Sequence, residues 1–311
     1  MTAGQITANQ PGQDALEHAG VAPFGPKPRR VSPGRIGIYV FLVIAALFFL
    51  IPVYIMIVTS LKGMPEIRLG HLFSLPAEPT FQPWADAWLH ACTGRDCNGL
   101  SPGFYNSLKI TVPSVIISII CASINGYALT FWPYKGANLL FGLLVFGAFV
   151  PYQVVIYPLI IGLSSVGLFA TLPGIIIIHT IFGMPILTLL FRNFYAALPV
   201  ELFKAARVDG AGFWRIFFSI MLPMSVPITV VAVILQVTGI WNDFLFGIVF
   251  AGRSNWPMTV QLNNIVNTTT GVREYNVNMA ATILTAAVPL IIYFVSGRWF
   301  VRGIAAGAVK G

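Results

Sequence analysis

The 311 residues are 57% hydrophobic and only 9% charged, whereas an ordinary soluble domain carries about 25% charged residues. Water cannot be the main solvent of such a chain. The net charge of +8 does not point to nucleic acid, because the basic residues are scattered over several short polar segments.

Residues 1–34 are polar and contain several Gly and Pro, which predicts a flexible tail. They do not read as a signal peptide: the first apolar run starts too late, is too long, and no small-residue cleavage pattern follows it. Beyond the tail, no charged side chain occurs between Arg35 and Lys62, Lys109 and Lys135, Lys135 and Arg192, Arg215 and Asp243, or Glu274 and Arg298. A helix needs roughly 20 apolar residues to cross a hydrocarbon core about 30 Å thick. Each window is long enough. The third, 56 residues, would run about 84 Å as one helix at roughly 1.5 Å per residue, so it must cross twice, reversing in the turn-prone stretch 164–174. The prediction is an all-α membrane protein with six transmembrane helices at 36–60, 107–131, 139–162, 173–191, 226–250 and 279–300. Outer loops then cover 61–106 and 251–278, and a large inner loop covers 192–225. This orientation puts twelve basic residues on the tail side of the membrane and six on the other, so the positive-inside rule predicts that both termini are cytoplasmic. Together, 35–311 form one membrane domain.

Within the spans, Pro151 and Pro158 lie about two turns apart and should kink span three twice toward a similar side. Apart from Lys109 and Arg298 at the ends of spans, Asp243, in Trp241-Asn242-Asp243-Phe244, and His179 are the Asp, Glu, Lys, Arg or His residues inside the assigned spans, and the sequence gives neither an obvious charged partner. Intramembrane charges are functional candidates by default, which makes Asn242 and Asp243 candidates for a solute pathway, although so shallow a carboxylate also suits an orienting role. His179, after four isoleucines, reads as a hydrogen-bonded packing residue. Cys92 and Cys97 fall in the first outer loop, where oxidation is permitted; they are either bridged or two loop thiols, and they lack the second half of a zinc site. No metal site is expected. No G-x-x-x-x-G-K-[ST] loop exists, so the chain does not hydrolyse ATP itself, and no H-E-x-x-H helix or G-x-S-x-G elbow suggests a hydrolase.

The inner loop is the informative segment. Leu198-Pro199-Val200-Glu201 opens a short helix with Pro early and an acid in the first turn, and Asp209-Gly210 ends it near Val208, because Gly accepts the left-handed conformation of a helix C-terminus. A second helix, rich in Phe213, Trp214, Phe217 and Phe218, runs until Leu222-Pro223 stops it. The result is an elbow of two helices whose small Ala205 and Ala206 would let another surface approach closely. The second outer loop, rich in Asn and Thr, has hydrogen-bonding capacity with little charge.

The run from Lys204-Ala205-Ala206 through Asp209-Gly210-Ala211 to Ile220-Met221-Leu222-Pro223 resembles the EAA loop of binding-protein-dependent ABC importer permeases. Every fixed position matches except the first, where Lys204 replaces Glu; Glu201 lies one turn earlier. The Trp241–Leu245 segment and the C-terminal run from Phe300 resemble carbohydrate permeases of the maltose-permease class, and Asn106-Ser107 with Asn263-Asn264-Ile265-Val266-Asn267 resemble the glucose and mannose branch. The resemblance implies a multi-pass subunit of the cell inner membrane that translocates a sugar, such as glucose or mannose. It would work with a second permease subunit, a dimer of ATPase subunits holding the ATP and Mg, and an extracytoplasmic solute-binding protein, with no cofactor on this chain. Glu201, Lys204, Ala205, Ala206, Asp209, Gly210, Ala211 and Pro223 would couple to the ATPase, with a further contact from Arg302, Gly303, Gly307 and Lys310. Asn263, Asn264, Thr268, Thr269 and Thr270 would meet the binding protein. The competing reading is a secondary carrier for a small polar solute; the lack of paired midplane charges and of visible inverted repeats speaks against it.

Overall fold

A computed structural model of the protein describes residues 33–93, 96–132, 134–267 and 273–308, with side chains as far as Gly297. The expected tail lies almost entirely outside the described residues. The chain divides into two units, 1–54 and 55–311. The first contains most of α1 (Pro33–Ser60), which is apolar all round and exposes its large side chains from Ile36 to Val53, the character of a helix whose solvent is lipid or another chain.

The second unit is helical throughout the described residues. The short α2 (Met64–Arg68) and α3 (Gln82–Leu89) precede α4 (Ser101–Phe131), α5 (Ala137–Gly147), α6 (Tyr152–Ser165) and α7 (Leu172–Ala196). There follow α8 (Val200–Val208), α9 (Phe213–Met224), α10 (Val226–Asn242), α11 (Leu245–Phe250), α12 (Met258–Val266) and α13 (Tyr275–Ala308). Among the described residues four helices, α1, α4, α7 and α13, are long and apolar enough to cross a membrane, and up to six spans result if each of two bent helix pairs counts as one.

The bends correct the sequence reading. Span three is not one twice-kinked helix: α5 and α6 meet at 104° across Ala148–Pro151. Pro151 caps α6, consistent with its missing N–H and its bias of the preceding residue away from helix, while Pro158 is accommodated inside α6. Span five also breaks, at Asp243 and Phe244, between α10 and α11. The second elbow helix ends one residue beyond Pro223, close to where the sequence stops it. A π-helical turn at Phe217–Met221 absorbs the hydrogen bond that proline cannot make, and α9 continues to Met224 before turning 76° into α10 at Ser225.

The bundle is organised on α4 and α7. The buried face of α4 carries Ser107, Thr111, Ser114, Ser118, Ala122 and Gly126 at three- and four-residue spacing, a stripe of small residues that lets a second helix approach closely. At Gly126 a Cβ would come within 2.7 Å of the Arg192 backbone N and 2.8 Å of Phe191 Cβ, so α7 touches the α4 backbone directly. At the other end of α4, the segment expected as an open outer loop is tied down. The backbone N–H of Met258 donates to Ser107 Oγ (2.9 Å) and that of Gly103 to Gln261 Oε1 (3.0 Å). Asn106 Nδ2 donates to the carbonyls of Ser254 and Trp256, so α12 is packed helix rather than free connector.

Candidate functional site

The elbow forms where local chemistry demands it. Pro199 is the N-cap of α8, Glu201 sits in the positive first turn and Arg207 in the negative last turn, both favourable to the helix dipole. The helix ends as the Gly signal predicts: Gly210 has φ +75°, its N–H donates to the Arg207 carbonyl at 3.1 Å, and the Ala211 N–H donates to the Ala206 carbonyl at 2.9 Å. These are the two bonds of a Schellman motif. Of the two small residues, Ala205 faces outward, whereas Ala206 is buried against Tyr127, Tyr195, Ile216 and Phe217 of this same chain. The free face of α8 therefore consists of Glu201, Lys204, Ala205 and Val208. Val208, 88% exposed, joins it although the sequence did not single it out. Asp209 and Gly210 continue the exposed surface, Ala211 is half-buried, and Pro223 is exposed on α9.

An aromatic clamp fixes the inner face of the elbow to the bundle. Phe203 of α8 stacks on Phe131 (centroids 4.8 Å, 18°) and meets Trp132 edge-on. Phe213 of α9 packs on Tyr127 and Trp132. Polar atoms set the register: Trp132 Nε1 donates to Tyr127 Oη at 2.8 Å, and Tyr127 Oη donates to the Phe213 carbonyl at 3.2 Å. The Arg207 guanidinium lies 4.7 Å from the Trp132 ring centroid, a cation–π contact. A rigid arm results: α8 cannot shift without moving the end of α4.

A second constellation lies at the far end of α10 from the elbow, where that helix breaks. A cavity of about 180 Å³ is lined by His179 and Gly183 of α7, Gln236 and Gly239 of α10, Asp243 at the break and Phe246 of α11, with Phe182 and Ile240. Asp243 bridges two roles. Its Oδ1 and Oδ2 accept from the Phe246 and Gly247 N–H groups (3.2 and 2.9 Å), capping α11, and its Oδ2 lies 3.9 Å from His179 Nε2. The two ionisable groups that the sequence left without charged partners thus face each other. Gln236 Nε2 donates to the His179 carbonyl at 3.2 Å. Asn242 is exposed and does not line the cavity.

The remaining candidates are dispersed. Cys92 and Cys97 are joined as a disulfide, and Asp96 between them accepts from Arg253 at 2.9 Å, linking segments 61–106 and 251–278. Asn263 and Asn264 are half-buried on α12, while Thr268, Thr269 and Thr270 lie outside the described residues. Arg302, Gly303 and Gly307 fall on the last turns of α13, and Lys310 lies outside the described residues.

The chain is similar to known proteins. Residues 114–306 match the family described as the binding-protein-dependent transport system inner membrane component. An alpha-glucoside transport system permease of Rhizobium meliloti is 39% identical over 81% of this chain and 66% of its own length. A probable ABC transporter permease of Pyrococcus horikoshii is 36% identical over 91% of this chain and 100% of its own. The crystal structure of a bacterial ABC transporter that imports the acidic polysaccharide alginate has the same fold, with a TM-score of 0.73, 21% identity, and coverage of 89% of this chain and 99% of that one. The chain belongs to the family of inner membrane components of binding-protein-dependent transport systems, that is, to the ABC transporter permeases.

Proposed function

We propose that this chain is one of two permease subunits of an ABC importer, that its solute is a sugar, and that a monosaccharide such as glucose or mannose is the species carried. The observation that carries the reading is the free face of α8, Glu201, Lys204, Ala205 and Val208, on an arm locked to α4 by aromatic rings. A face that fits a cleft on a separate ATPase subunit, held by so stiff an arm, passes ATPase closure to the spans as rigid-body motion. Both termini are cytoplasmic on this reading, and a solute-binding protein docks on the opposite side. The similarity to an alpha-glucoside permease supports a carbohydrate with a glucosyl unit.

Co-expression with a cognate ATPase and partner permease, followed by sugar uptake into proteoliposomes, tests the reading. Uptake that requires internal ATP and external binding protein is expected. The His179–Asp243 pair is what a proton-coupled secondary carrier would use; uptake by this chain alone, abolished by an ionophore, would replace the importer with that reading.

A further inference from the structure

We infer that the cavity between α7, α10 and α11 is a sugar subsite within this subunit, sized for one pyranose ring; the inference rests on the reading above and names the place where the solute is held. Four features converge on the cavity. First, the helix is interrupted beside the cavity. A break at Asp243 and Phe244 exposes backbone polar groups, which a bilayer tolerates only where the segment is buried in protein or lines a wet cavity. Second, the polar groups are of the kind that recognise hydroxyls. Asp243 supplies acceptor lone pairs beyond those used by the Phe246 and Gly247 N–H groups. The Gln236 amide offers both a donor and an acceptor, and the His179 imidazole adds a ring nitrogen facing Asp243. Third, the rings of Phe182 and Phe246, 4.8 Å apart between centroids, give an apolar wall that suits the C–H face of a sugar. The volume, about 180 Å³, lies below the roughly 300 Å³ at which drug-sized pockets begin, which matches one ring and not an oligosaccharide.

The fourth feature is the pair of glycines. At Gly183 an added Cβ would collide with the Gln236 amide, so this glycine makes room for the amide to lie in the cavity. Gly239, a cavity-lining residue one turn from Asp243, is the opposite case: an added Cβ meets nothing within 4 Å. Helix interiors disfavour Gly by about 1 kcal/mol relative to Ala, and at Gly239 no close packing within this chain requires it. Its missing side chain instead leaves the wall open. Residue 239 is therefore the position at which size decides whether a ring fits.

The test uses the assembled transporter in proteoliposomes with its binding protein, and glucose and mannose as probes. Gly239→Ala, Gly239→Val and Gly239→Leu should assemble normally, read as co-purification of the partner permease and ATPase subunits, because an added side chain at Gly239 meets nothing within 4 Å in this chain. Their uptake should fall in that order, with Gly239→Leu down at least about a hundredfold, the scale on which steric exclusion discriminates in apolar pockets. Gln236→Leu should raise the sugar concentration for half-maximal uptake about tenfold, the loss of one hydrogen bond to substrate. Independently of turnover, a thiol introduced by Gly239→Cys should react with a small methanethiosulfonate, and saturating sugar should slow that reaction. Wild-type uptake by Gly239→Leu, or labelling at position 239 unaffected by sugar in a complex that transports it, overturns the subsite. A wild-type complex that takes up sugar without ATP overturns the importer reading instead, so the two failures are distinguishable.

Discussion

Gly210→Val isolates the elbow from the spans. Gly210 holds φ +75°, and a Cβ there meets nothing within 4 Å, so the penalty is one of backbone conformation, not of collision. An L-residue in the left-handed region costs about 1–2 kcal/mol, and a β-branched one lies at the upper end. A free-energy difference of that size changes a local equilibrium roughly 5- to 30-fold. It falls on the two hydrogen bonds that turn the chain from α8 into α9, from Gly210 to Arg207 and from Ala211 to Ala206. The spans do not depend on that turn, and insertion should be normal. The elbow should lose its seated orientation, and with it binding-protein-stimulated ATPase activity and uptake. Gly210→Asn provides the internal control, because Asn tolerates the same conformation and should retain most activity. Uptake, ATPase stimulation and membrane level would be measured for both variants in proteoliposomes. Wild-type uptake by Gly210→Val, at normal membrane levels, refutes the coupling role of this turn; equal losses in Gly210→Asn and Gly210→Val would show that conformation at Gly210 is not the cause.

Phe203→Ala removes a half-buried ring stacked on Phe131; at about half the 3–5 kcal/mol of a fully buried Phe, it should loosen α8 by about 2 kcal/mol. Limited proteolysis should then cut between α8 and α9 while sugar binding at the cavity persists, and an unchanged cleavage rate would count against the clamp. The Cys92–Cys97 bridge should appear as an intact mass two hydrogens lighter than the reduced chain, with only Cys121 alkylated when reductant is omitted; alkylation of all three rejects it. For the topology, single cysteines at the exposed positions Glu78 and Asn138 are suitable, because Ala137 is buried. An impermeant maleimide added outside intact cells should label the first and spare the second, and the reverse pattern would invert the membrane orientation.

The elbow was legible in the sequence because its determinants are local. A proline start, an acidic first turn and a glycine stop act within nine residues of helix, and the positive φ at Gly210 follows from the same chemistry. The aromatic residues of α9 were visible, but their purpose was not, since Tyr127, Phe131 and Trp132 join them only through the folding of α4. The breaks in spans three and five were hidden for a different reason. Apolar residues flank both sides of Pro151 and of Asp243, so a hydropathy window cannot distinguish one straight helix from two helices at an angle. The pairing of His179 with Asp243 was illegible because it depends on how α7 crosses α10, which one-dimensional spacing does not encode. For the same reason the segment 251–267 read as a polar connector: its alternation of Asn and apolar residues is compatible with an exposed loop, and only the contacts with Gly103, Asn106 and Ser107 make it packed helix.

On the proposed reading, α10 connects the two sites. It begins at Val226, just after the 76° turn from α9 of the elbow, and runs 17 residues to Asn242, about 25 Å at roughly 1.5 Å per residue. Gln236 and Gly239 lie on its last turns, beside the cavity. A helix of that length moves as a rod, so a displacement of α9 swings the far end of α10 and carries Gln236 and Gly239 relative to His179 on α7. Variants at the two ends should therefore fail in opposite ways. Gly239→Leu should hydrolyse ATP in response to the binding protein and carry no sugar, whereas Gly210→Val should leave the sugar subsite accessible to a thiol reagent at position 239 and give no response to the binding protein. Combining Gly210→Val with Gly239→Cys measures this directly: labelling should still be slowed by sugar. If the elbow variant abolishes that protection, the conformation of the turn reaches the cavity itself, and the two variants do not fail in opposite ways.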